Sequence, residues 1–144
     1  MEKLVLAADH GGYELKEIIK NFILDLGGYE VLDLGTHSAE SVDYPAYGRQ
    51  AAEAVAGRQA DRGIIFCGTG IGISIAANKL KGIRAANCTD EFMAEMSRRH
   101  NNANILALGG RIVDPEIAKK IVKVWLTTPF EGGRHEKRVS QLEQ

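Results

Sequence analysis

Apolar positions along the chain fall into two alternating patterns. Lys3 to Ala8 is a nearly unbroken apolar run, the pattern of a strand buried on both faces, and the turn Asp9-His10-Gly11-Gly12 follows it. Asp9 is well placed to cap a helix there. From Tyr13 to Leu26 the apolar residues sit at Leu15, Ile18, Ile19, Phe22, Ile23 and Leu26, a helical spacing with one buried stripe, which Gly27-Gly28 stops. A second strand is expected over 30–34, ending at Gly35-Thr36. After the polar stretch His37 to Asp43, a helix spans 47–56, with Pro45 in its first turn and Gly57 at its end. Gly63-Ile64-Ile65-Phe66-Cys67 reads as a central buried strand, and the helix after it runs to about Leu80. A short strand over 83–87, a helix over 89–98 and a fifth strand over 104–108 come next. Asp114-Pro115 is a strong helix start, and Ile117, Ile121, Val122 and Trp125 form that helix's inner face up to Pro129.

Strand and helix alternate five times, so the expected fold class is α/β: a three-layer α/β/α, Rossmann-like arrangement around a five-stranded parallel sheet. In such sheets ligands bind beyond the carboxyl ends of the strands, where the strand order reverses. That rule gathers Asp9, His10, Cys67 and the glycines after Cys67 at one edge. The tail, residues 130–144, differs. It is charged, helical from Arg134 onward, and offers only Val139 and Leu142 as an apolar stripe. A helix with so little to bury is expected to pack on a partner subunit or a ligand.

Composition narrows the picture. With 144 residues the chain is expected to be a single domain, 1–144, and 44% hydrophobic against 26% charged residues is the balance of a folded globular core. A net charge of -1 gives no general attraction to nucleic acid or to an anionic membrane. No apolar run approaches the ~18 residues that span a bilayer. The chain opens directly into a strand rather than a signal peptide, and two cysteines without a dense framework fit a reducing, cytoplasmic setting.

Chemistry concentrates after the central strand. Cys67-Gly68-Thr69-Gly70-Ile71-Gly72 places a thiol at a strand's carboxyl end, beside three alternating glycines that open a helix. Backbone N–H groups at such a turn converge on anions and favour a thiolate nearby. The loop is neither a Walker motif, since no Lys-Ser or Lys-Thr follows the last glycine, nor the dinucleotide G-x-G-x-x-G. A tight turn alone would need fewer glycines, which favours an anion site. Cys67 alone could be an inert core thiol, and its position beside the loop is what argues for reactivity. Cys88 lacks such a loop and reads as structural. The four histidines show no HxH or HExxH spacing, so neither metal nor cofactor is expected. Arg134 and Arg138 share a helix face, and with Arg111 they offer planar forks for a phosphate, although a solvated charged surface explains them equally from spacing alone. His100 and Asn101 lie between a helix and a strand, at the end of the sheet opposite this site, so only a neighbouring subunit could receive them.

These residues form a recognisable set. Asp9-His10-Gly11, Asp43-Tyr44-Pro45, Cys67-Gly68-Thr69-Gly70-Ile71-Gly72-Ile73-Ser74, Gly82-Ile83-Arg84-Ala85, His100-Asn101-Asn102 and Glu131-Gly132-Gly133-Arg134-His135 together resemble the ribose-5-phosphate isomerase type B family, in register over nearly the whole chain. The resemblance implies an aldose–ketose isomerase that interconverts D-ribose 5-phosphate and D-ribulose 5-phosphate through a cis-enediolate without metal or cofactor. It makes Cys67 the base, with Thr69 and the amides of Gly68, Gly70, Ile71 and Gly72 around the enediolate oxygens. It makes His100 the ring-opening acid or base, with Asp9 near the ring hydroxyls. His10, Arg134 and Arg138 would hold the phosphate with Arg111 nearby, Asn101 would touch the sugar, and Tyr44 and Ser74 complete the substrate contacts. In that family some members carry a glutamate base where Ser74 stands, so Cys67 with Ser74 marks the cysteine type. Its sites lie at a subunit interface, which implies a homodimer or dimer of dimers with His100 and Asn101 crossing over. The alternatives are an allose- or galactose-6-phosphate isomerase, with His135 where a longer sugar's extra carbon would be felt, and a non-catalytic sugar-phosphate sensor.

Overall fold

The computed structural model describes every residue from Met1 to Gln144. Its elements in chain order are β1 (Glu2–Ala8), α1 (Tyr13–Leu26), β2 (Tyr29–Asp33), α2 (Tyr44–Ala56), β3 (Arg62–Cys67), α3 (Ile71–Asn78), β4 (Ala85–Asn87), α4 (Glu91–Arg99), β5 (Ile105–Gly109), α5 (Pro115–Thr127) and α6 (Arg134–Leu142). All strand pairs are parallel, in the order β2-β1-β3-β5-β4. This is the expected α/β class. The last two strands exchange places relative to their chain order because all five residues of β5 are buried, whereas β4 has three half-buried residues and suits an edge.

Alternation within the strands builds two cores. Leu4, Leu6, Ala8, Ile64, Phe66, Leu106 and Leu108 face the layer of α1 and α5, around Ile19, Ile23, Ile121 and Trp125. Val5, Ala7, Ile65, Cys67, Ile105 and Ala107 face the layer of α2 and α3. Cys67 therefore points to the α2–α3 side at the carboxyl end of β3. The chain leaves β1 toward β2 on one side and reaches β3 on the other, so the strand order reverses between β1 and β3, where the ligand rule puts a crevice.

Some boundaries depart from the sequence pattern. Asp9 does not cap α1. The helix starts after Gly12, and Asp9 Oδ1 instead accepts the Gly11 and Gly12 N–H groups at 2.9 and 3.1 Å. The two intervening glycines let the chain close that turn before the helix begins. α2 begins at Tyr44, three residues early, because Pro45 already has helical φ and Asp43 enters extended. α4 is capped by Asp90, whose side chain accepts from Met93 N at 2.7 Å, and α5 by Asp114, which accepts from Glu116 and Ile117. α6 forms where expected. Its end is held by its own chain, with Glu143 paired to Arg84 at 2.6 Å and accepting from Gly82 N, while Leu142 stays exposed. No helix is long and apolar enough to cross a membrane.

Candidate active site

Three strand-to-helix loops meet beyond the carboxyl ends of β1, β3 and β5, and glycine makes the meeting possible. A Cβ on Gly12 would lie 2.5 Å from the Phe66 carbonyl carbon, one on Gly109 2.6 Å from Thr69, and one on Gly110 2.5 Å from the Gly11 oxygen. The loops are sewn together by backbone bonds from Asp9 N to Phe66 O, Gly110 N to Cys67 O and Arg111 N to Gly68 O. Between them and α2 lies a cavity of about 370 Å³, lined by Asp9, Tyr44, Cys67, Gly68, Thr69, Ile71, Gly72 and Arg111.

Inside it, Gly70 N–H donates to Cys67 Sγ at 3.1 Å. Gly70 can aim that N–H because it adopts φ +80, a left-handed conformation open to glycine. Asn87 Nδ2 holds the other side of the same peptide, donating to Thr69 O at 3.3 Å. Ile71 N donates to Thr69 Oγ1, so two of the five loop amides expected to face substrate are used within the loop. The amides of Gly68, Thr69 and Gly72 carry no bond to protein and remain available to an anion. Tyr44 closes the side of the cavity, its ring so close to Gly72 that any Cβ there would collide. Ser74 is buried and spends its hydroxyl on Ile71 O at 2.7 Å, a structural bond at the start of α3.

A second groove adjoins the cavity, lined by His10, Gly11, Glu14, Gly110 and Arg111. His10 Nδ1 accepts from Val42 N at 3.1 Å, so its Nε2 carries the proton and is a donor. Arg111 lies across Gly68 with no protein acceptor for its guanidinium. An anion in this groove would meet two donors and one carboxylate, Glu14.

The remaining expected residues form a separate group. His100 ends α4 and Asn101 follows it, at the amino end of the sheet. Arg134 and Arg138 lie exposed on α6, which starts beside them: Glu131 N donates to Arg99 O at 3.0 Å, and His135 stacks on His100 with ring centroids 4.1 Å apart. Burial first, then the neighbouring His100, hold the His135 imidazole below the usual histidine range. One subunit thus brings together Asp9, His10, Tyr44, Cys67, the glycine loop and Arg111, and leaves His100, Asn101, Arg134 and Arg138 at the opposite end. Sequence spacing did not reveal the His100–His135 stack or the Asn87 bond, since each joins residues far apart in the chain. Cys88 is the buried structural thiol expected, pushed up to about 11 chiefly by burial.

The model of the Ribose/Galactose Isomerase family matches residues 4–142. The chain belongs to that family. It is 50% identical to ribose-5-phosphate isomerase B of Escherichia coli strain K12, covering 99% of this chain and 95% of that one. The D-erythrulose-4-phosphate isomerase of Pectobacterium atrosepticum is 39% identical, over 99% and 93% of the two chains. Among solved structures, Clostridium thermocellum ribose-5-phosphate isomerase B superposes with a TM-score of 0.96 at 57% identity, covering 98% of this chain and 95% of the other.

Proposed function

We propose that this isomerase interconverts D-ribose 5-phosphate and D-ribulose 5-phosphate through a cis-enediolate, in a homodimer or dimer of dimers whose sites lie between subunits. The observation that carries the reading is the Cys67 sulfur held against the Gly70 N–H inside a cavity that also presents free amides and Asp9. The thiolate of Cys67 takes the C2 proton of the open aldose, and the electron pair moves through C1 onto O1. The free amides of Gly68, Thr69 and Gly72 stabilise the charge on the enediolate oxygens; donors of this kind are each worth roughly 3–4 kcal/mol in the transition state. The same sulfur then returns the proton to C1, while the hydroxyl proton passes from O2 to O1. Asp9, its Oδ1 fixed by two backbone amides, meets the sugar hydroxyls.

Ring opening needs a general acid or base. The partner subunit's His100 fills that role, with the partner subunit's Asn101 on the sugar. The phosphate takes the His10 Nε2–H and Arg111, and is clamped by the partner subunit's Arg134 and Arg138. Ile71 and Ile75, four apart on α3 and more than half exposed beside the cavity, support a neighbour seated there. The 39% identity to an enzyme named for a four-carbon phosphate supports a second reading, in which sugar length differs from five carbons.

The test is a steady-state isomerase assay on four-, five- and six-carbon sugar phosphates, for wild type and Cys67→Ala. Highest kcat/KM on ribose 5-phosphate with a dead Cys67→Ala variant is the expected result. A different best substrate with the same dead variant corrects the substrate and keeps the base. Near wild-type activity in Cys67→Ala removes Cys67 as the base.

A further inference from the structure

Asn87 ends the edge strand β4. Alternation along that strand packs Ala86 against the α1–α5 core and Ala85 against the α2–α3 core, so Asn87 points to the α2–α3 side, the side of Cys67. Its amide reaches the glycine loop. Nδ2 donates to Thr69 O at 3.3 Å, and a Cβ on Gly70 would strike Oδ1. Oδ1 itself is buried and has no hydrogen-bond partner. Turning the amide over would set that oxygen against the Thr69 carbonyl, acceptor to acceptor. A buried, unpaired amide oxygen costs stability, and an apolar side chain at this strand end would avoid the cost. Folding alone therefore does not account for an asparagine here.

The peptide that Asn87 holds is the one that brings a donor to Cys67. Thr69 O and the Gly70 N–H belong to one planar unit and point in opposite directions. Asn87 Nδ2 takes the carbonyl on one side, and Cys67 Sγ accepts the N–H on the other at 3.1 Å. No backbone group donates to Thr69 O, so Asn87 is its sole partner. Gly70, at φ +80, leaves the unit free to turn, because glycine populates both signs of φ. Turned over, the same peptide would aim its carbonyl at the sulfur.

We propose that Asn87 is a positioning residue for Cys67: it fixes the Thr69–Gly70 peptide in the orientation that gives the sulfur its donor. The hold is anchored in the sheet, since Asn87 lies opposite Ala107 in the β4–β5 ladder. The catalytic consequence rests on the proposed role of Cys67 as base; the link to the sulfur does not.

Two variants test it. Asn87→Ala removes the donor and adds no charge. Asn87→Asp keeps the shape and puts a carboxylate oxygen against Thr69 O, which turns the peptide away. Alkylation of Cys67 by iodoacetamide is followed by intact mass from about pH 6 to 10, in a Cys88→Ala background so that only one thiol reports. Asp9, Tyr44 and Arg111 line the cavity with Cys67, and both variants leave them in place. A thiolate that loses its donor forms at higher pH, so the midpoint of the alkylation profile moves up in both variants, further in Asn87→Asp. In the isomerase assay kcat falls about tenfold in Asn87→Ala and about a hundredfold in Asn87→Asp, with KM within about twofold. The thermal midpoint of Asn87→Ala stays within about 3 °C of wild type. A wild-type alkylation profile in both variants overturns the proposal, whatever happens to turnover. So does a shift confined to Asn87→Asp, which assigns the effect to added charge alone. A shifted profile in both variants with unchanged kcat upholds the hold on the sulfur and removes Cys67 as the base.

Discussion

At the carboxyl end of the sheet the Cys67 sulfur is held by backbone, and at the amino end the His100 ring is held by side chains. Cys67 lies among loops joined mainly peptide to peptide, with Asp9 and Asn87 adding side-chain bonds to the same backbone and glycines where the loops approach most closely. His100 is held by the stack of His135 and by the docking of α6 through Glu131 and the Arg84–Glu143 pair. Backbone donors are fixed when the sheet folds, and they suit charge that must be met without reorganisation. Side chains on a thin terminal helix shift easily, and they suit the proposed reach of His100 into a neighbouring subunit. Under the proposed assembly the two halves also fail differently: the first by steric insult, the second by separation of the subunits.

Gly70→Ala is the strongest way to break the carboxyl half. Gly70 has φ +80, and an added Cβ would strike Asn87 Oδ1 and lie 3.0 Å from the Leu108 carbonyl carbon. The peptide between Thr69 and Gly70 must then rotate, and Cys67 Sγ loses its 3.1 Å donor. The expected outcome is a 10²–10³-fold fall in kcat/KM, roughly 3–4 kcal/mol, with the protein still folded by circular dichroism. Activity within tenfold of wild type would show that this donor is dispensable.

The same half rests on one buried ionic network, and breaking it is next in size. Lys16 is fully buried, 2.7 Å from Asp33, with Lys20 at 3.0 Å from the same carboxylate and Gly35 N donating to it. Burial works against the Asp33 charge, but the Lys16, Gly35 and Lys20 bonds outweigh it and hold the carboxyl below 3.8, its ordinary value. A depressed carboxyl stabilises the fold fully above its unfolded value and loses that contribution as pH falls through the folded one. Asp33→Asn leaves Lys16 with Glu17 alone and is expected to cost about 3 kcal/mol at pH 7 in denaturant titration. The gap to wild type should narrow below about pH 4, where the wild-type carboxylate is protonated too. A gap that stays constant to acid pH would assign the loss to packing instead.

The comparison sharpens most by mixing subunits. If the two ends serve one another across an interface, Cys67→Ala and His100→Asn are each inactive alone, yet a mixed dimer carries one site with both faults and one with none. Random reassortment makes half the dimers mixed, so about a quarter of wild-type activity should return. No recovery after verified exchange would mean that each chain completes its own site.

The carboxyl half could be read from the sequence because its information is local. A buried apolar run, a thiol at its end and three alternating glycines are contiguous, and the unbroken apolar runs told which strands were buried on both faces. The capping role expected of Asp9 failed because two glycines allowed a tighter turn than a helix start. The strand order at the far edge was not legible, since it turns on how completely β4 and β5 are buried, which depends on the neighbours each finds in the folded sheet. The amino half was legible in its residues and opaque in its geometry. His100 and His135 come from separate elements, and no spacing rule anticipates a stack that depends on where α6 docks.

The smallest expected effect concerns the second thiol and separates the proposed base, Cys67, from Cys88. Burial first, with the Asp90 charge adding to it, pushes Cys88 up to about 11 against the bond with Ser97. At pH 8 roughly one Cys88 in a thousand is therefore a thiolate, and its 2% exposure keeps reagents away from that fraction. Cys67 is also buried, but it borders the cavity and has a donor on its sulfur. Iodoacetamide should therefore inactivate Cys88→Ala at a rate within about twofold of wild type, with one thiol lost per chain, and sugar phosphate should protect both proteins equally. If Cys88→Ala instead resists inactivation, the essential thiol lies on the α1–α5 side of the sheet. The backbone-held half would then be only an anion cradle.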